Sequence, residues 1–165
     1  MNRHPHLVGI GYVVAFILIA FPLVDLAANI WPWNLGQVNW RYGSYGLASG
    51  YVLTVVLGFG LLLTVAALGG QRNVMRVFAA ISLVGGVVLA LAAAAYVLDA
   101  LQIQGTISGD ARSNFRIGTG KSLFKNGLTG LAFLYMGWAG WRGSAGVGKD
   151  VQKRGKEKPL VSGVS

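Results

Sequence analysis

The chain has no cysteine, two histidines and five acidic residues in 165 positions. Without cysteine there is no disulfide, thiolate nucleophile, cysteine-ligated metal or covalently attached c-type haem. The histidines, His4 and His6, both sit beside the N-terminus. A haem held between helices needs histidine within an apolar segment, and none is there. A pigment magnesium at a membrane edge is the one such ligand open to them, and a plain interfacial pair is the simpler reading. Charged residues make up 12% of the chain, about half the roughly 25% of a soluble domain. An ordinary water-soluble domain is therefore excluded. HExxH, GxSxG and a complete Walker A are missing. Gly118-Thr119-Gly120-Lys121-Ser122 looks like the end of a phosphate loop but lacks the upstream glycine, and Gly58-Phe59-Gly60 lies inside an apolar run. Asp25, Asp99 and Asp110 are the only candidate acids for chemistry, and carboxylates with arginines alone define no reaction. The expectation is a protein that is not an enzyme, with no cofactor required; bound lipid or pigment stays open.

What the chain does have is apolar residue: 54% of the total, with 25 glycines and a mean hydropathy of +0.57. A membrane-crossing helix takes about 20 mostly apolar residues, and four segments qualify, at about 7–30, 46–69, 74–101 and 122–141. The expected fold is all-α, a four-helix transmembrane bundle. Pro22 should kink the first span. Cleavage of that span as a signal peptide is disfavoured, because its apolar run exceeds the usual 7–15 residues.

Net charge is +9. In so apolar a chain this points to anionic lipid rather than nucleic acid. An even number of spans puts both termini on one side, with Arg3, Arg72, Arg76, Arg142 and five basic residues of the tail. Arg41, Arg112, Arg116, Lys121 and Lys125 fall on the other. The bias, nine of the 14 basic residues, predicts cytoplasmic termini. Residues 143–165 read as a flexible basic tail, with Lys149, Lys153, Arg154, Lys156 and Lys158 facing lipid headgroups. Trp31, Trp33 and Trp40 read as interfacial anchors.

The sequence also repeats. Gly11–Asp25 aligns without gaps on Gly85–Asp99, aspartate on aspartate. After one inserted residue, Asn39-Trp40-Arg41-Tyr42-Gly43-Ser44 aligns on Asn114-Phe115-Arg116-Ile117-Gly118-Thr119. This predicts two tandem parallel hairpins, about 7–70 and 74–142. A carboxylate near hydrocarbon seeks a partner, so Asp25 and Asp99 should pair with Arg41 and Arg116, within a hairpin or across the two. These groups either clamp loops onto the bundle or couple an ion or proton. Asn39 and Asn114 should cap the returning helices or the turns that precede them. Gly46, Gly50, Gly127 and Gly130 should let helices approach closely.

Pro22 to Asp25, Asn39 to Gly43 and Val97 to Leu101 together resemble uncharacterised small four-span membrane proteins of bacteria. The resemblance covers about residues 7–142 and implies topology and bacterial origin, with no activity attached. The leading expectation is an accessory, assembly or scaffold subunit that packs against other membrane proteins or itself. The alternative is a small oligomeric transporter or channel with Asp25 and Asp99 as coupling sites.

Overall fold

The computed structural model describes the backbone of residues 5–107, 109 and 111–156, and the side chains of residues 6–107, 109 and 111–144. Four helices follow in order: α1 (Pro5–Asn29), α2 (Val38–Gly69), α3 (Arg72–Gln104) and α4 (Ala111–Lys156). The fold is all-helical. Helices α1, α2 and α3 are long and apolar enough to cross a membrane. Helix α4 does not reach that hydropathy among the described residues, because Lys121, Lys125, Asn126 and Arg142 hem in its apolar stretch.

Each expected span lies inside a helix, but the helices outrun the spans. Helix α2 begins at Val38 rather than near Gly46, and α4 at Ala111 rather than near Ser122. An edge in hydropathy is not an edge in backbone hydrogen bonding. Residues 38–45 and 111–121 are polar and aromatic, and each sets a few side chains against a neighbouring helix: Tyr42 on Tyr96, and Phe115 and Thr119 on Tyr42. The proximal end behaves similarly. Residues 143–156, expected as a loose tail, continue α4. Its buried Ser144 donates to the Trp141 carbonyl (2.7 Å) and accepts from Arg76 Nε (3.3 Å). The side chains of Lys149, Lys153, Arg154 and Lys156 lie outside the described residues, as do Lys158 and the whole of Asp110 and His4.

The turn between α2 and α3 is as short as expected. Gly70 takes φ 68°, a left-handed conformation suited to glycine. The backbone N–H groups of Gly70 and Gln71 then return to the carbonyls of Ala67 and Ala66.

Packing is uneven. Helix α1 touches α2 and neither α3 nor α4, whereas α2 also packs on α3 and α4. The α3–α4 pair is the tightest. On α3 the inward positions are Met75, Ala79, Ser82, Gly86, Leu89, Ala93, Tyr96 and Ala100. On α4 they are Asn126, Gly130, Phe133, Gly137, Gly140 and Ser144. Both follow an alternating four–three spacing, the 3.5-residue period of a left-handed seam. Its small residues bring backbones together. A Cβ on Gly137 would lie 2.8 Å from the Ala79 carbonyl oxygen and 2.9 Å from the Leu83 nitrogen. The middle of the bundle is filled by Val55, Val56, Phe59 and Phe133, with Phe59 edge-on to Phe78 and Phe133.

Candidate functional site

The polar side chains that could act chemically gather at the distal end, which carries the α1–α2 and α3–α4 loops. Arg41 lies in the first turn of α2 and Asp99 in the last turns of α3. Their helices run antiparallel and touch, so the two groups meet side-on. Arg41 Nε donates to Asp99 Oδ2 at 2.9 Å and Nη2 to Oδ1 at 2.6 Å. Nη1 donates to the Leu35 carbonyl at 2.8 Å and fixes the loop before α2. A two-point pair of this kind holds orientation as well as charge. The Asp99 side chain is 6% exposed and that of Arg41 35%.

Of the alternatives left open by the sequence, the pair that forms is the one across the two hairpins. Its counterpart does not form. Asp25 and Arg116 make no ion pair among the described residues, and Arg116 is exposed on α4. The reason is geometric. Helix α1 never reaches α4. Asp25 is instead tied locally: Asn29 Nδ2 donates to Asp25 Oδ1 (3.2 Å), to the Asp25 carbonyl (2.9 Å) and to the Tyr51 hydroxyl (3.3 Å). Asp99 thus stands level with Arg41 and Asp25 near Tyr51. Those two partners are about 15 Å apart along α2 at 1.5 Å per residue.

Beneath the ion pair lies a stack of rings. Tyr96, 3% exposed, sits between Tyr42 (centroids 4.8 Å apart) and Tyr45 (4.2 Å), and Tyr42 also stacks on Phe115 (5.1 Å). The Tyr42 hydroxyl bonds Thr119 Oγ1 at 2.7 Å. One turn deeper, Asn126 is 2% exposed, and neither its amide nor the Tyr45 hydroxyl completes a hydrogen bond. Below Asn126 the apolar plug of Val55, Val56, Phe59 and Phe133 takes over. This polar cluster therefore lies in the distal part of the bundle, apart from the buried Ser82 and Ser144 further along α3 and α4.

Other expected residues fall differently. The N-cap position of α2 is Gln37, and it makes no side-chain capping bond. Asn39 and Asn114 lie inside the first turns of α2 and α4, so neither is a cap; both helices start earlier than hydropathy implied. Gly130 faces α3, but a Cβ on it would make only ordinary contacts, 3.6 Å from Leu89 Cβ and 3.8 Å from the Gly86 carbonyl oxygen. Gly46, Gly50 and Gly127 face open space instead. The glycines that bring helices together are Gly11, Gly58, Gly86, Gly137 and Gly140. Trp31 and Trp33 are exposed, as an anchor requires. Trp40 instead turns inward and donates its indole N–H to the Ile30 carbonyl (3.2 Å).

The described residues contain no cluster of three or more metal-ligating side chains. No family model, curated protein or solved structure matches the chain.

Sequence reasoning missed Tyr45, Tyr96 and Asn126. Tyr96 is polar within an apolar run, and that was its available signal; Tyr45 and Asn126 stand at the polar margins of their runs.

Proposed function

We propose that the protein is a non-catalytic, four-span membrane subunit that serves in the assembly or scaffolding of a larger membrane complex. In this reading α4 crosses the membrane beside α1, α2 and α3, the termini are cytoplasmic, and the membrane is a bacterial inner membrane. The two hairpins descend from one duplicated hairpin.

The observation that carries the proposal is the state of Asp99. A carboxylate that couples transport has to gain and lose a proton or ion, which needs water or a path. Asp99 is held in two bonds by Arg41 over an apolar plug, which suits a clamp. The outward faces support the rest. Gly43, Gly46 and Gly50 on α2, and Gly118, Gly120 and Gly127 on α4, would meet nothing within 4 Å if given a Cβ. Such bare stretches let a neighbouring helix come close.

The test is purification from the native membrane in mild detergent, with mass spectrometry of what accompanies the chain. One large complex in fixed stoichiometry is expected, and Gly50→Leu should weaken it. A chain that runs alone overturns the reading.

Transport is the second reading, and Asp25 is the observation for it, being half-buried and free of any arginine among the described residues. Proton flux in vesicles that falls with Asp25→Asn and persists with Asp99→Leu would favour transport.

A further inference from the structure

We propose that the furrow beside Arg41 binds a glycerophospholipid, with the phosphate on the guanidinium and an acyl chain laid between α1 and α3. The proposal rests on the membrane reading above, and its test is independent of any protein partner.

Because α1 touches α2 but not α3, a furrow runs along α2 between them. Its volume is about 300 Å³, the low end of the roughly 300–1,000 Å³ typical of small-molecule sites. Leu26 and Ile30 form one wall, Ala92 and Ala95 the other, and Ala48 lies on the floor. The alanines keep it open; larger side chains there would close it. At its distal end stand Arg41 and Asp99.

The two charges are not equally reachable. Asp99 is covered, while more than a third of the Arg41 side chain is bare. A guanidinium has five N–H donors, and Arg41 commits three of them: two to Asp99 and one to the Leu35 carbonyl. Two remain, one on Nη1 and one on Nη2, and because the furrow's own lining is almost wholly apolar they serve a group at its distal mouth. An approaching anion therefore meets donors first, and the planar fork matches phosphate oxygens. A free phosphate would use the donors and leave the furrow empty. A hydrocarbon would fill the furrow and leave the donors idle. A phospholipid satisfies both.

The test uses the full chain purified in mild detergent. Native mass spectrometry should find one retained phospholipid per chain. After delipidation, phosphatidylglycerol should rebind, and Ala48→Phe should weaken that rebinding by about tenfold or more, equivalent to about 1.4 kcal/mol. A second measurement leaves the furrow untouched. Trp31, Trp33, Trp138 and Trp141, all exposed, are changed to Phe, and Trp40, which lines the furrow, remains as the reporter. Phosphatidylglycerol brominated in its acyl chain should quench Trp40 saturably, and unlabelled lipid should reverse the effect. The proposal is overturned by non-saturable quenching, by unchanged rebinding to Ala48→Phe, or by inorganic phosphate competing fully at millimolar concentration. Loss of a co-purifying protein with lipid binding intact would sink the assembly reading and leave this one standing.

Discussion

The two helical hairpins, α1–α2 and α3–α4, pack by different means. In α3–α4, glycines and alanines put backbone against backbone: a Cβ on Gly137 would meet the Ala79 carbonyl and the Leu83 nitrogen. In α1–α2 the close approaches meet side chain first. A Cβ on Gly11 would meet only Val65, and one on Gly58 would meet Ile19 Cγ1 at 2.6 Å, with the Ala15 carbonyl oxygen and Leu18 Cβ at 3.1 Å. Side chains give way more readily than backbone, and α1 has α2 as its single neighbour. The second hairpin, with α2 laid on it, is therefore the rigid part, and α1 is an attachment. The same difference explains the two aspartates. Asp99 belongs to the rigid part and finds Arg41 at a fixed distance, whereas Asp25 belongs to the attachment and makes do with Asn29 four residues on.

The largest expected effect tests the aspartates. Arg41→Ala leaves Asp99 covered and unpaired and should cost about 2–4 kcal/mol, below the full range for a buried pair because the arginine is partly exposed. Arg116→Ala should cost under about 0.5 kcal/mol, as for an exposed side chain that makes no ion pair among the described residues. Unfolding in mixed micelles reads both, and equal losses would erase the distinction. Next come the glycines. Gly137→Ala should destabilise by about 1–3 kcal/mol through overpacking against backbone, and Gly58→Ala by clearly less; the reverse order would overturn the rigid-and-attached description. Tyr42→Phe removes the bond to Thr119 at the α2–α4 contact and should cost about 1 kcal/mol, against no measurable change for Tyr135→Phe on the exposed face. The smallest effect has the opposite sign. Gly50→Ala should stabilise the isolated chain by about 0.5–1 kcal/mol, because the site is open and glycine is the poorer helix former.

Much of the distal site was legible. An aspartate and an arginine that recur at matching places stand out in apolar sequence, and two of those four residues, Asp99 and Arg41, form the ion pair. The missing Asp25–Arg116 pair was not legible. An apolar helix such as α1 carries little register information, because sliding it along α2 replaces one aliphatic contact with another. The sequence of α1 therefore does not say that Asp25 comes to rest near Tyr51. The α3–α4 seam was legible in part. Gly130, expected to pack closely, belongs to the four–three spacing from Asn126 to Ser144, whereas Gly46, Gly50 and Gly127 were expected to pack in the same way and have bare faces. Spacing shows which residues share a face; it does not show which face is covered. Helix ends were misplaced for a related reason: hydropathy reports where lipid would stop, and α2 and α4 continue past that point.

That α1 rests on a single neighbour also has a mechanical meaning. Under tension applied at the N-terminus, α1 can peel away while every contact among α2, α3 and α4 stays in place. The first rip in a force–extension trace should release about the length of α1, at lower force than the rest. Pulled from the opposite end, the chain has no such weak link, since α4 is held by both α3 and α2. The molecule should be soft from one end and stiff from the other.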